Sequence, residues 1–319
     1  MTTLAELEAA ARNVYAVMAP TPQYAWPLIA RRAGREVWVK HENHTPIGAF
    51  KVRGGLNLLA RLAASRPVPA GIVSATRGNH GQSLAYAARR YGMHCVIVVP
   101  RGNSTDKNDA MRAFGAELVE HGRDFDEARV HAAALAREGG LRFVGPFEPE
   151  LVAGVGTYAL ELFRAVDRID TVYVPIGCGS GICGIISARD ALGLATAIVG
   201  VVSVGANAYA QSFSARKPVE TASADTFADG MAVRVPVPAA LDVIWQGAAR
   251  IVEVSDSEVE HAMRAYFSDT HQVAEGAGAA PLAALLQEGP RAGQRAAIVL
   301  SGGNVDRAVY ARVLAGSPT

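Results

Sequence analysis

The chain has 319 residues, of which half are hydrophobic and 19% are charged, a composition typical of a folded globular protein rather than a disordered or fibrous one. Its 31 basic and 30 acidic residues give a formal net charge of +1, which provides no basic surface for nucleic acid or for an anionic membrane. We therefore expect a small-molecule partner, and neither nucleic acid nor membrane.

The location of the protein is predicted from its N-terminus and its cysteines. The first residues do not show a basic region followed by an apolar run, and no apolar stretch reaches the length of a transmembrane helix. The three cysteines, Cys95, Cys178 and Cys183, lack the spacing of a zinc site, and their odd number does not support a disulfide framework. Together these features predict a cytoplasmic protein.

Hydrophobic periodicity predicts an alternation of strands and helices along most of the chain. The first predicted elements are a helix over residues 4–18, a strand over 37–40 and a helix over 56–64. Strands at 72–73, 95–99 and 117–119 then alternate with helices at 82–91, 108–114 and 124–137. Such alternation is typical of a parallel sheet with helical crossovers. We interpret residues 66–147 as a small mobile domain.

A second alternating series follows. Its strands are predicted at 171–176, 197–204, 250–254 and 296–300, and its helices at 154–165, 183–192, 256–267 and 279–287. Residues 1–65 and 148–319 are predicted to form a larger, cofactor-binding domain. The economical architecture is α/β, with two open and mainly parallel sheets and a cleft between them.

A single lysine marks the first candidate site, in the stretch Gly48-Ala49-Phe50-Lys51-Val52-Arg53-Gly54. It directly follows Gly-Ala-Phe, between a predicted strand and a predicted helix, where its amine can be held at a cleft. Lys51 is therefore a candidate Schiff-base nucleophile, although an isolated lysine is usually a solvated charge. A catalytic role requires a second feature, which is a site for the phosphate of a cofactor.

The chain supplies such a site in the glycine loop, Gly177-Cys178-Gly179-Ser180-Gly181-Ile182-Cys183-Gly184. Glycines let backbone amides approach a phosphate, and the following helix offers its N-terminal donors and positive dipole end. The loop also contains the G-x-G-x-x-G spacing of dinucleotide-binding proteins. A nicotinamide enzyme needs an acidic residue about 20 residues further on. The next predicted strand and the following Gly205-Ala206-Asn207 supply none, so this enzyme class is a distant alternative.

Two further turns place short polar side chains after predicted strands. In the first, the hydroxyl of Thr76, the amides around Gly78 and the side chain of Asn79 are suited to bind a carboxylate and an aromatic hydroxyl. His80, taken alone, is more typical of a structural residue. The second turn, Ser301-Gly302-Gly303-Asn304, places a hydroxyl where it can meet a ring nitrogen.

Five motifs together resemble the fold-type II pyridoxal-phosphate enzymes, and within them the threonine/serine dehydratase and serine racemase branch. They are the Lys51 stretch, Gly78-Asn79-His80-Gly81-Gln82, the glycine loop, Ala228-Asp229-Gly230 and the Ser301 turn. The resemblance covers almost the whole chain in order, which makes it far more specific than any single motif. It implies a tryptophan synthase β-like fold, with two open, mainly parallel-sheet domains and the cofactor in the cleft between them.

The resemblance also implies roles for individual residues. Lys51 would carry pyridoxal 5'-phosphate as a Schiff base and later move the α-proton of the substrate. Phe50 would flank the ring, Asn79 would bond its 3-hydroxyl and Ser301 would meet its nitrogen. The implied phosphate site consists of Gly177, Cys178, Gly179, Ser180 and Gly181. The implied substrate site consists of Thr76, Arg77, Gly78, Asn79 and His80.

The reaction implied by the resemblance is that of an ammonia-lyase. A 2-amino-3-hydroxy acid, such as threonine or serine, would lose its β-hydroxyl and its amino group to give a 2-oxo acid and ammonia. A neutral hydroxyl at the ring nitrogen gives a weaker electron sink, which suits β-elimination. Racemisation and β-replacement are the alternatives with the same cofactor, and a catalytically silent amino-acid-binding protein is the alternative from another class.

The sequence departs from the family at Thr76 and Arg77, where relatives commonly carry Ser-Ser or Ser-Ala. In the racemases the second serine resembles the acid/base opposite the lysine, and an arginine is poorly suited to exchange that proton. The Arg77 guanidinium either turns to solvent or to an interface carboxylate, or it captures a substrate carboxylate through two hydrogen bonds. If the captured group is a side-chain carboxylate, the site would favour a 3-hydroxyaspartate-like substrate. If it is the α-carboxylate, the arginine would only anchor the substrate.

The sequence also departs from the family at positions where some relatives bind an activating metal ion. Metal-activated relatives carry Gly-Val-Glu-Pro where this chain has Gly200-Val201-Val202-Ser203, so no metal site is predicted. Asp229 is interpreted as structural rather than as a ligand. Glu275 resembles the glutamate found near the cofactor in this branch, but a buried salt bridge explains it equally well.

The family and the prevalence of closed symmetry predict a homodimer.

Overall fold

The computed structural model describes residues 2–316, in which ten strands form two sheets. The strands are β1 (Gln23–Ala25), β2 (Glu36–His41), β3 (Gly71–Ala75), β4 (His94–Val99), β5 (Glu117–Glu120), β6 (Arg142–Phe143), β7 (Thr171–Pro175), β8 (Ala197–Ser203), β9 (Arg250–Val254) and β10 (Arg295–Leu300). The helices are α1 (Leu4–Tyr15), α2 (Pro27–Ala33), α3 (Lys51–Ala64), α4 (Asn79–Arg90), α5 (Thr105–Ala113), α6 (Phe125–Glu138), α7 (Pro149–Ala165), α8 (Ser180–Ala191), α9 (Ala208–Ala215), α10 (Pro238–Gly247), α11 (Asp256–Thr270), α12 (Gly276–Glu288) and α13 (Arg307–Ala315).

The larger sheet has six strands in the order β1-β2-β10-β7-β8-β9, and only the β1–β2 pair is antiparallel. Its inner strands are apolar on both faces, because helices cover both sides of a parallel sheet. In β7, Val172 and Val174 pack into one core, whereas Tyr173 packs into the other. This two-sided burial explains why β7 has a continuous hydrophobic sequence rather than an alternating one.

The smaller sheet has four strands in the order β5-β4-β3-β6, and all of its pairs are parallel. Its strands all lie between Gly71 and Phe143. Two sheets, each mainly parallel and connected by helices, are the α/β architecture that the alternating pattern predicts. The domain limits predicted at residues 66 and 147 stay a prediction.

Each sheet and the helices that cover it form one half of the molecule, which we call the six-stranded half and the four-stranded half. Helix α3 lies between the two halves and packs against both α4 and α7. The contact with α7 is close because glycines meet there. A Cβ atom on Gly154 would lie 2.4 Å from the carbonyl oxygen of Arg53, and one on Gly54 would lie 3.0 Å from that of Leu151. Real Cβ atoms essentially never lie within 3.0 Å of a backbone oxygen, so this crossing requires glycine at position 154, and the neighbours of Gly54 would have to shift slightly to admit a side chain there.

A buried ion network fixes the start of α3. Arg53 donates to Glu42 Oε2 at 2.7 Å and to Glu161 Oε1 at 2.6 Å, and Lys40 Nζ donates to Glu161 Oε2 at 2.6 Å. The side chains of Arg53, Glu42 and Lys40 are fully buried. Burial alone lowers the pKa of Arg53, but the two carboxylates outweigh it and raise that pKa above its ordinary value. The network joins β2, α3 and α7.

The structure differs from the predicted elements mainly at their ends and in short segments. The first helix ends at Tyr15 rather than at residue 18, and α3 begins at Lys51 rather than at residue 56. The elements β1, α2, β6, α9, α10 and α13 are additions to the ranges predicted. Among residues 2–316, no helix combines the length and the apolar character needed to cross a bilayer.

Candidate active site

Lys51 is the first residue of α3 and follows a tight connection from β2. Gly48 in this connection has a φ of 70°, which favours glycine. Two backbone hydrogen bonds of 2.9 Å hold the connection to the loop after β10, from Phe50 N to Ser301 O and from Gly303 N to Gly48 O. Because β2 and β10 are parallel neighbours, these bonds place Lys51 and Ser301 at the same edge of the sheet.

The amine of Lys51 meets the glycine loop. Its Nζ donates a hydrogen bond of 2.8 Å to Ser180 Oγ and lies 5.1 Å from the ring centroid of Phe50. Burial lowers the pKa of Lys51 below its ordinary value. A lowered pKa favours the neutral amine, which is the nucleophilic form of lysine.

The glycine loop joins β7 to α8, and its conformation requires small residues. Gly179 has a φ of 93°, and a Cβ atom on Gly177 would lie 2.3 Å from the carbonyl oxygen of Gly230. Ser180 begins α8, whose first amide groups lack acceptors within the helix. These free amides and the positive end of the helix dipole make the loop suitable for binding an anion.

The turn after β3 carries Asn79, the first residue of α4, whose amide group is held from two sides. Its Nδ2 donates to Glu275 Oε1 at 2.8 Å, and its Oδ1 accepts a hydrogen bond of 2.8 Å from Asn304 Nδ2. These contacts fix the orientation of the amide and leave one N–H and one lone pair of Asn79 for a ligand.

The remaining polar residues of this turn differ in exposure. Thr76 is buried, and its Oγ1 accepts a hydrogen bond of 3.1 Å from Gly78 N. His80 is also buried, and burial together with the charge of Lys51 lowers the pKa of His80 to about 3, so its ring is neutral. Arg77 is exposed and forms no ion pair with another residue of the described range 2–316.

Three charged residues outside the predicted site also line the pocket: Lys107, Asp229 and Glu275. Lys107 Nζ donates to Asp229 Oδ2, and Glu275 accepts from Asn79 rather than forming a salt bridge within residues 2–316. Burial, with the nearby Asp229 carboxylate, raises the pKa of Glu275 to about 7. The sequence gives one indication that Lys107 lies at the site. It stands in the first turn of the helix that follows β4, and the segments after the carboxyl ends of parallel strands commonly bind ligands.

One pocket brings together every residue predicted for the site. Its lining includes Phe50, Lys51, Thr76, Arg77, Gly78, Asn79, His80, Gly177, Cys178, Gly179, Ser180, Gly181 and Ser301. The roles predicted for these residues stay predictions. Within the described part of the chain, no group of three or more histidine, cysteine, aspartate or glutamate side chains is arranged to hold a metal ion.

The pocket residues fit pyridoxal phosphate. An amine with a lowered pKa lies beside an anion-binding loop, and Gly177 and Gly179 of that loop leave no room for larger side chains. Two polar atoms of the pocket residues, His80 Nε2 and Glu275 Oε2, are buried without a hydrogen-bond partner in the described structure. Unpaired buried polar atoms are costly, and a polar ligand in the pocket relieves that cost.

Comparison with known proteins agrees with this fit. The chain is 33% identical over 298 residues to the biosynthetic L-threonine dehydratase of Pasteurella multocida, covering 92% of this chain and 58% of that protein. It is 31% identical over 315 residues to the L-threonine ammonia-lyase of Thermotoga maritima, covering 98% of this chain and 78% of that protein. This chain therefore spans little more than half of the Pasteurella relative.

Solved structures show the same fold. The threonine deaminase of T.th. superposes with a TM-score of 0.90 at 32% identity, covering 96% of this chain and 99% of that one. A pyridoxal 5'-phosphate-dependent aspartate racemase has a TM-score of 0.90 at 29% identity, covering 96% of each chain. These similarities confirm the predicted fold class and the predicted family resemblance.

The family model described as "Pyridoxal-phosphate dependent enzyme" matches residues 14–302, which include four of the five motifs and the first two residues of the Ser301 turn. On this match the chain belongs to the pyridoxal-phosphate dependent enzymes.

Proposed function

We propose that the protein is a pyridoxal-phosphate-dependent ammonia-lyase that converts a 2-amino-3-hydroxy acid to a 2-oxo acid and ammonia. The observation that carries this proposal is the hydrogen bond of 2.8 Å between Lys51 Nζ and Ser180 Oγ, which joins a deprotonatable amine to an anion-binding loop. The names of the relatives, threonine dehydratase and threonine ammonia-lyase, support the same reaction class.

The residues around the cofactor would each have a distinct role in this reaction. Bound pyridoxal phosphate supplies an electron sink that makes the α-proton of an amino acid removable. Lys51 Nζ, with its lowered pKa, would accept that proton, and the amides of residues 177–181 would bind the phosphate. Phe50 would pack beside the ring, Asn79 would bond its hydroxyl and the Ser301 hydroxyl would donate to its nitrogen.

The turn after β3 would bind the substrate. The hydroxyl of Thr76 and the amides near Gly78 are suited to the α-carboxylate, and the neutral His80 adds no competing charge. Arg77 is the exposed cation of this wall, and it would bind a second carboxylate if the substrate resembles 3-hydroxyaspartate. The substrate class is therefore a small β-hydroxy amino acid, with threonine, serine and 3-hydroxyaspartate as the members to compare.

The test of the proposed function is Lys51→Ala. We expect this variant to release no 2-oxo acid from any β-hydroxy amino acid and to lose the visible absorbance of the covalently bound cofactor, because both depend on the same amine. An oxo-acid assay and an absorbance spectrum measure the two effects. Lys217→Ala is the matched control, since Lys217 is an exposed lysine outside the pocket. Retention of both activity and absorbance in Lys51→Ala would contradict the proposal.

The same assay separates the alternatives. Chiral analysis of the recovered amino acid detects racemisation, and added thiols detect β-replacement. We expect elimination to exceed racemisation, because position 77 carries an arginine where the racemases carry the serine that resembles the acid/base opposite the lysine.

We also propose that the protein assembles as a homodimer. Large apolar side chains are exposed on neighbouring elements, namely Tyr24 before α2, Leu28 in α2 and Phe267 in α11, which packs against α2. Exposed apolar patches commonly mark interfaces, and closed dimers are the commonest assemblies. Sedimentation equilibrium measures the assembled mass.

A further inference from the structure

Lys107 reaches from one half of the molecule to the other across the pocket. It lies on α5, which packs against α4 and β5 beside the four-stranded sheet. Its Nζ donates to Asp229 Oδ2, in the short helical turn Asp229–Met231 that packs against α12 beside the six-stranded sheet. The ion pair therefore connects the half that carries the turn after β3 to the half that carries the glycine loop.

The surroundings of Lys107 keep it charged and directed at the opposite half. Its side chain is 11% exposed, and that of Asp229 is 37% exposed. Burial lowers the pKa of Lys107, but the carboxylates of Asp229, Glu275 and Asp306 outweigh it, so the pKa is raised above its ordinary value. All three carboxylates lie in segments of the six-stranded half.

Lys107 also contacts the turn after β3. A Cβ atom on Gly78 would lie 3.0 Å from Lys107 Cδ, so the lysine stem covers this glycine. Asn103 Nδ2, just before α5, donates to the carbonyl oxygen of Arg77 at 3.2 Å. Ser104, the N-cap of α5, donates to Asp306 Oδ1 at 2.6 Å. The start of α5 thus holds the turn on one side and the six-stranded half on the other.

We propose that Lys107 is a positioning residue, whose ion pair with Asp229 holds the substrate-binding turn (residues 76–80) at its working distance from the glycine loop. This inference rests on the proposed function for the identity of the turn's ligand. The ion pair acts on the turn through α5. Ser180 and Ser301 belong to the six-stranded half, so their positions do not depend on this ion pair. Removing the Lys107 charge is therefore expected to weaken amino-acid binding more than cofactor binding or turnover at saturation.

The experiment is Lys107→Met, which keeps an unbranched stem over Gly78 and removes the charge. We expect the KM for the amino acid to rise roughly tenfold, with kcat changed by less than about threefold and the absorbance of bound cofactor retained. Hydrogen exchange of the cofactor-free protein gives a second readout. The amides of residues 76–80 and of α5 should exchange roughly tenfold faster, while those of α12 stay unchanged.

Three further variants make the result specific. Asp229→Asn should reproduce the effect, whereas the conservative Lys107→Arg, which keeps the positive charge, should retain most of the wild-type KM and exchange behaviour. Arg112→Met is the control on the same helix, since the Arg112–Asp109 pair is exposed, and it should behave as wild type. Unchanged KM and unchanged exchange in Lys107→Met would overturn the inference, and so would equally faster exchange throughout the chain. Failure of the wild type to release any 2-oxo acid would refute the proposed function, whereas the exchange comparison would still decide the inference.

Discussion

At the scale of single residues, the sequence is most informative where local chemistry identifies a side chain. Lys51 and Ser180 are far apart in the sequence, yet each is recognisable from its own neighbours, and the pocket brings their side chains to 2.8 Å. The pairing of Lys107 with Asp229 has no such local signature, although Asp229 lies in a recognised motif, because the two residues are 122 residues apart. The orientation of Asn79 by Glu275 and Asn304 is equally invisible in the sequence, since it depends on three separate segments.

Arg77 is the residue whose role is open to the most direct test. If its guanidinium binds a second carboxylate, Arg77→Ser should lower kcat/KM for 3-hydroxyaspartate roughly tenfold to a hundredfold, as expected for loss of a charge-assisted contact. The kcat/KM for threonine and serine should change by less than about threefold. Initial rates of oxo-acid release over the three substrates measure this ranking.

Arg77→Lys is the matched control for that comparison. It keeps the positive charge but loses the planar pair of donors, so an intermediate loss with 3-hydroxyaspartate indicates two-point binding. An unchanged substrate ranking in Arg77→Ser would assign the arginine to solvent, which is the other interpretation of its exposed position.

At the scale of elements, the strands were easier to locate than the beginnings of the helices. The strands predicted at 250–254 and 296–300 agree with β9 and β10 to within one residue, because buried apolar runs define them. The prediction for α3 was wrong at its start, since Gly54 and Gly55 weaken the helical pattern there. Tertiary packing explains the difference, because Gly54 packs against Leu151 and Gly55 against Ser83.

The crossing of α3 and α7 gives an element-scale prediction. Gly154→Ala should destabilise the chain by about 1–3 kcal/mol, because the added methyl group would overlap the backbone of Arg53 and Gly54. This cost outweighs the gain in helix propensity of about 1 kcal/mol for replacing glycine by alanine. Urea unfolding of the cofactor-free protein measures the difference in free energy.

Gly181→Ala is the control for that stability measurement, because it also adds a methyl group to a helical glycine. Its Cβ atom would lie 3.7 Å from the Phe50 ring, an ordinary van der Waals distance. We expect its free energy of unfolding to equal or exceed that of the wild type. Equal stability of Gly154→Ala and Gly181→Ala would show that the crossing tolerates a side chain.

At the scale of the whole molecule, the alternating pattern predicted two mainly parallel sheets, and the family comparison confirms this fold class. The pattern did not predict how the halves are joined, because period and propensity describe one element at a time. In the structure, α3 lies between the halves, and the buried network around Arg53 fixes it to β2 and α7. Charged residues inside a core are unexpected from hydrophobic patterning alone.

The Arg53 network gives the prediction for the whole molecule. Arg53→Met should lower the free energy of unfolding by about 3–5 kcal/mol, because it leaves the buried carboxylates of Glu42 and Glu161 without their main partner. Arg123→Met is the surface control, since Arg123 pairs with Glu127 in solvent, and its free energy of unfolding should equal that of the wild type within measurement error. Urea unfolding measures both variants. A loss below about 1 kcal/mol in Arg53→Met would mean that Lys40 and Thr21 alone satisfy the carboxylates. A loss in the expected range would show that the charge network stabilises the start of α3, where Lys51 lies.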